Sequence, residues 1–134
     1  MTHDLISDMI TRLRNASLVR HQTVSIRYTN INFNVLKVLK KEGYIKDVTI
    51  LNEYELLVTL RYKGYWIRKP LFSNLKRISK PGQRIFSGYK DFSEHFQLLK
   101  YNQGVAIVST SSGIMSHIKA KKLKKGGELL CYIG

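Results

Sequence analysis

The 134-residue sequence predicts an α+β fold made of two small packed α/β domains, the C-terminal one mostly β with short helices. Three observations carry that expectation. Apolar residues recur at helical spacing in two long stretches of the first third of the chain, β-branched and aromatic runs bounded by turn residues dominate the remainder apart from short helical segments, and no internal repeat or long linker interrupts them. With 43% hydrophobic residues, the chain has enough apolar surface to bury a core without disulfide staples.

The elements follow in order. Leu5, Ile6, Met9, Ile10 and Leu13 share a helical stripe, with Asp4 and Asp8 early and Arg12 and Arg14 late, the order a helix dipole favours. The run "TVSIRY" reads as a strand. A second helix is expected through "NINFNVLKVLKKEGYI", where Val35, Leu36 and Leu39 lie on one face and Gly43 provides the left-handed residue that stops it. "YIKDVTIL" and "YELLVTLRY" read as a hairpin joined around Asn52-Glu53. These elements make an N-terminal domain, residues 1–66, with a soft boundary near Trp66, and residues 67–134 make the second domain. There "NLKRIS" and "RIF" look like two short strands around the turn "KPGQ", and residues 91–100 suit a short helix with Phe92, Phe96 and Leu99 on one side. "GVAIVST" reads as a buried strand. Ser116 is placed to cap a short helix through "HIKAKKL", and Gly126-Gly127 turns the chain into a last strand, "ELLCYI".

Charge narrows the function. The chain holds 23 Lys+Arg against 9 Asp+Glu, a net charge of +14, which is the balance of a protein that binds a polyanion. Residues 1–67 carry ten basic and six acidic side chains, whereas residues 68–134 carry thirteen and three, so the C-terminal half is where the polyanion is expected. Cys131 stands alone, which excludes an internal disulfide and favours a reducing compartment; within "ELLCYI" it reads as a small buried hydrophobe. No apolar run reaches the roughly twenty residues of a membrane span, and "MTHDLISDMITRLRN" lacks the basic start and apolar centre of a signal peptide.

Catalytic constellations are not visible. His3, His21, His95 and His117 have no metal-ligand spacing and read as surface or capping residues. "STSSG" lacks the leading glycine of a nucleophile elbow, and "KKGGE" lacks phosphate-loop and dinucleotide spacing. The expectation is therefore no enzyme, no cofactor, no metal and no small-molecule substrate. "STSSG", Ser109 to Gly113, instead offers short hydroxyls beside a glycine. That composition suits either an ordinary polar strand-to-helix connection or a backbone brought close to phosphates and 2′-hydroxyls. Lys119, Lys121, Lys122, Lys124 and Lys125 crowd the following helix, and Lys76, Arg77, Lys80 and Arg84 flank the Pro-Gly turn, which favours the second reading. Phe86 and Tyr89 would add a base-stacking surface, or be core. A free regulatory RNA- or DNA-binding module is the competing class, yet the lysine helix is too short and uniform to read bases in a major groove. Binding to an acidic membrane would need an apolar helix face that Ile118, Ala120 and Leu123 barely supply.

Five stretches, "DLISDMITRLRNA", "VLKKEGYI", "LKRISKPGQRIF", "GVAIVSTSSGIM" and "GGELLCYI", stand in the order found in one family. Over essentially its whole length the chain resembles the bacterial-type ribosomal protein S-eight family, the eighth protein of the small ribosomal subunit. The resemblance implies two packed α+β domains, no enzymatic activity, early binding to the central domain of small-subunit rRNA, and contacts with neighbouring small-subunit proteins. It also implies that Ser109, Thr110, Ser111, Ser112 and Gly113 form the main RNA-facing loop, with Arg84 and Glu128 near the same surface and Arg14 at a weaker second rRNA contact. Lys121 and Lys122 join these as expected phosphate partners. Relatives commonly carry a long polar residue where this chain has Ser112, and an acidic one where it has His117. The absence of a targeting segment and a wealth of Asn, Lys, Ile and Tyr look like a plastid-encoded copy, at work on ribosomes of the chloroplast stroma, with the bacterial cytoplasm or a mitochondrion as the alternatives.

Overall fold

The computed structural model describes residues 4–63, 69–70, 75–92 and 104–134. Helices and antiparallel sheets alternate in a mixed α+β arrangement, as the sequence predicts. The described residues fall into two compact units, 4–70 and 75–134. Trp66, at the expected boundary, lies outside the described residues, as does the helix expected over 91–100 apart from Asp91 and Phe92.

In the first unit α1 (Leu5–Leu18) begins where the Asp4 carboxylate accepts the Ser7 backbone N–H at 3.2 Å, satisfying one of the donors that a helix start leaves open. α2 (Asn30–Lys41) begins in the same way on Thr29, whose hydroxyl accepts from the Asn32 N–H at 3.1 Å, and it ends before Gly43 at φ +86°. Between and after them run β1 (Thr23–Arg27), β2 (Ile45–Ile50) and β3 (Glu55–Leu60), an antiparallel sheet in the order β1-β3-β2. The predicted hairpin is β2–β3, closed by the Asn52 side chain accepting the Tyr54 N–H at 2.8 Å. α1 packs on β1 and α2 on β2. Ile6, Met9, Ile10 and Leu13 of α1, Val35, Leu36 and Leu39 of α2, and Ile26, Leu56, Val58 and Leu60 of the sheet are buried. A small ribbon, β4 (Tyr62–Lys63) with β5 (Lys69–Pro70), follows.

The second unit is a five-stranded antiparallel sheet: β6 (Leu75–Arg77), β7 (Phe86–Ser87), β8 (Val105–Thr110), β9 (Gly113–Ser116) and β10 (Gly127–Ile133). The two short strands expected around the Pro-Gly turn are present as β6 and β7. β6 and β7 do not pair with each other as a hairpin: β6 pairs with residues 131–133 of β10 and β7 with residues 127–128. Between them Ser79 is fully buried, its hydroxyl accepting from the Ile85 N–H at 2.9 Å, and only a Lys80–Gln83 bridge closes the Pro81-Gly82 turn. Segment 75–87 thus lies end to end along one edge of β10, with β8 on the other edge. The core contains Phe92, Val108, Met115, Ala120 and Leu129, with Ile78, Ile85 and Tyr89 packed against it. Cys131 is fully buried, and that burial pushes its thiol up to about 12 against a weaker opposing pull from Arg77.

Candidate nucleic-acid interface

The hydroxyl-rich stretch is not a strand-to-helix connection. β8 turns directly back as β9 in a register that sets Thr110 opposite Gly113, leaving Ser111 and Ser112 as an exposed two-residue tip. β9 is an element that the sequence reading missed, as is the β4–β5 ribbon. Gly113 takes φ +116°, the left-handed conformation that such a tight hairpin needs after its tip and that glycine adopts without strain. A Cβ added there would meet nothing within 4 Å, so the space in front of Gly113 is open.

Inside the tip Thr110 works as a clasp. Its hydroxyl donates to the Gly113 carbonyl at 2.9 Å and accepts from the Ser112 N–H at 3.2 Å, fixing both sides of the turn. Ser111 has an exposed side chain, and the Ser112 hydroxyl accepts from the Lys125 ammonium. The hydroxyls that sequence reasoning grouped together therefore divide their work between ordering the loop and facing outward.

Two glycines bring further groups beside this tip. A Cβ on Gly127 would lie 2.0 Å from the Ser109 carbonyl oxygen, and one on Gly126 would lie 2.5 Å from the Ser87 carbonyl oxygen. Backbones on both sides occupy the space a side chain would need, which is why the start of β10 threads between β7 and β8 only as glycine. The result is a row across four strands: Phe86 opposite Glu128, Glu128 opposite Ser109, and Ser109 opposite Ile114. Directly opposed residues of antiparallel strands share a face. The Arg84 guanidinium bonds the Glu128 carboxylate at 2.9 Å, and while the Arg84 side chain is 55% exposed, that of Glu128 is only 14% exposed. Glu128 thus fixes Arg84 from below, whereas Arg84 offers its remaining N–H donors outward. Phe86, at 65% exposure, stands beside them as a bare ring; Tyr89 instead packs against the core.

Behind the tip α3 (His117–Lys122) starts on Ser116, whose hydroxyl accepts the Lys119 N–H at 3.3 Å. His117 is half-buried, its Nδ1 accepting the Ala106 N–H at 3.1 Å, so it is tied into the sheet instead of standing at the surface. Lys119, Lys121 and Lys122 are exposed. Lys124 sits at φ +56°, a left-handed turn that sends Lys125 back to Ser112. Lys125 and Phe86 are the members whose place the sequence did not resolve: a lysine run and a short aromatic strand do not reveal which members face the loop. Arg14 is exposed on α1 in the other unit. The structure thus assembles Ser109 to Gly113, Arg84 and Glu128 in one place, with Lys121 and Lys122 on the helix that follows.

Among the described residues no cluster of three His, Cys, Asp or Glu side chains has the arrangement to hold a metal, and no helix is long and apolar enough to cross a membrane. The model of the family Ribosomal protein S8 matches residues 4–133. The chain is similar to Small ribosomal subunit protein uS8c of Cyanidium caldarium, 48% identical over 136 residues covering 99% of each chain. Similarity to the protein of that name from Phaeodactylum tricornutum is 44% over 136 residues, again 99% of each. With Small ribosomal subunit protein uS8 of Nostoc punctiforme it is 42% over 134 residues, 98% of this chain and 97% of the relative.

Proposed function

Because the chain belongs to the ribosomal protein S8 family, we propose that it binds the central domain of small-subunit rRNA directly and helps assemble the subunit's platform, beside neighbouring small-subunit proteins. The observation that carries this reading is the cross-strand row beside the hairpin tip, where an exposed ring, a braced guanidinium and small hydroxyls meet an open glycine. The small residues of the tip suit RNA more than DNA, and the charged and aromatic groups suit any nucleic-acid strand. Ser111 and the open face of Gly113 let backbone and hydroxyls approach a shallow minor groove, where 2′-hydroxyls accept and donate. Arg84 meets phosphate with a fork already oriented by Glu128. Phe86 offers a stacking face to a splayed base, and Lys121 and Lys122 supply charge without sequence preference. Glu128, largely covered and bonded to Arg84, acts by positioning, since a carboxylate would repel phosphate.

The place of action we propose is the plastid ribosome; similarity to the uS8c proteins of Cyanidium caldarium and Phaeodactylum tricornutum and the Asn-, Lys-, Ile- and Tyr-rich composition support it. The test is the affinity for a central-domain rRNA helix against an unrelated hairpin of equal length, at low and physiological salt. A preference of about three orders of magnitude for the cognate helix at physiological salt is expected. Equal binding that collapses with salt on both RNAs would overturn the reading.

A further inference from the structure

The first unit carries a second cationic surface that the hairpin-tip reading does not use. Two hollows adjoin along the outer strand β2 and share Lys40 in their walls. One, of about 650 Å³, is lined by Gln22, Lys40, Lys46, Thr59, Arg61 and Tyr62, among others. The other, of about 400 Å³, lies between α2 and β2 and is lined by Phe33, Lys37, Lys40, Lys41 and Val48.

Charge along this channel is lopsided. Lys37, Lys40, Lys41, Lys46 and Arg61 line it, and Glu42 and Asp47 are the carboxylates next to them in sequence. Asp47 is bonded to Lys40 at 2.9 Å. Arg61 donates to the Gly43 carbonyl at 3.4 Å. Aromatic surface accompanies the charge: Phe33 stacks on Tyr28 with ring centroids 5.9 Å apart, and the Lys37 ammonium lies 5.1 Å from the Phe33 centroid. Cations tracking a groove beside flat rings are what a single nucleic-acid strand uses, phosphates on the cations and bases against the rings.

We propose that this channel is a second RNA-binding site, taking a single-stranded phosphodiester segment between α2 and β2. An acidic peptide is the other anion to weigh, and the most economical way for it to bind is to extend the sheet at β2. The register of β2 slips between Ile45 and Asp47, and Lys46 stands at that irregularity, which blunts the edge for strand addition while leaving a cation pointing at solvent. The groove thus repels a pairing strand where it attracts a phosphate.

The experiment titrates the full chain with a 12-nucleotide oligouridylate, following backbone amide shifts and the salt dependence of binding. Amides of Lys37 to Lys41, Lys46 and Arg61 are expected to move. Lys41→Ala with Lys46→Ala should flatten the log-log salt slope by about 1.4, since each contact to a single strand contributes about 0.7. An unchanged slope in a variant with a native circular dichroism spectrum would overturn the proposal, as would amide shifts confined to the second unit. Poly-glutamate moving the same amides while oligouridylate does not would assign the groove to a protein partner and equally overturn it. The proposal rests on reading the chain as an RNA binder but uses a separate surface: groove shifts that persist while cognate preference at the hairpin tip fails would sink only the earlier reading.

Discussion

At single residues, the roles separate by what a substitution removes. Ser111→Ala deletes an outward hydroxyl, and Gly113→Val forces a β-branched residue to φ +116°. Both should weaken cognate RNA far more than an unrelated hairpin, because neither changes charge; equal losses on both RNAs in a filter-binding assay would contradict the placement. Gly127→Ala acts differently, since its Cβ would overlap the Ser109 carbonyl and push two backbones apart. A loss of about 1–3 kcal/mol in urea-unfolding stability is expected, the scale of overpacking, together with weaker RNA binding. Cys131 should be inert: with its thiol at about 12, it stays protonated at pH 8 and out of reach of a thiol reagent until the chain is unfolded in denaturant. Asp47 is held below the usual carboxylate range first by the hydrogen bond from Lys40, then by the Val48 N–H. Its folded value is depressed, so its contribution to stability is present above its ordinary value near 3.8 and is lost as pH falls through the folded one. Asp47→Asn should therefore flatten the acid limb of a stability-against-pH curve.

Among the elements, those that the sequence made readable are the ones whose signals are local. α1 and α2 announce themselves through the stripe of Leu13 and its neighbours and through Asp4, Thr29 and Gly43 at their ends, all within a few residues of the bonds they make. Leu13→Ala should cost about 2–5 kcal/mol, because this side chain is fully buried and its removal leaves a cavity. Ser116→Ala should cost about 1 kcal/mol through loss of the α3 cap, read as a lower midpoint in thermal unfolding. β9 was not legible, for four residues beginning with glycine carry no period of their own, and only the partner strand β8 makes them a strand. The pairing of β6 and β7 escaped for a related reason. A Pro-Gly turn between two short strands favours a hairpin locally, but Leu75 to Arg77 and Phe86 to Ser87 gain more by extending the apolar β10, a choice made by residues some forty to sixty positions away.

Over the whole molecule, charge predicts function class better than it predicts the site. The excess of +14 was visible in the composition and points to a polyanion, yet it does not say that Glu128 braces Arg84 or that Lys125 turns back to Ser112. Those assignments need the register of β10 against β7 and β8 and the left-handed turn at Lys124, and neither has a signature at fixed spacing. What the sequence did carry, through "STSSG" and "GGE", was the set of small residues that such close approach requires. Replacing Lys121 and Lys122 with alanine should shallow the salt dependence of RNA binding by about one to two in log-log slope while sparing sequence preference. An unchanged slope would assign both lysines to solvent alone.

The position of β10 also sets an order in time. It is the last of its unit's strands in sequence and lies in the middle of the sheet, joined to β6 and β7 along one edge and to β8 along the other. During synthesis the first unit's three-stranded sheet has all its strands once Leu60 has emerged, whereas β8, with Val105 to Val108 fully apolar, waits for residues 127–133 before its open edge is covered. The nascent chain therefore passes through an interval in which one half can be folded and the other exposes an aggregation-prone strand edge, the stage at which a chaperone would find its footing.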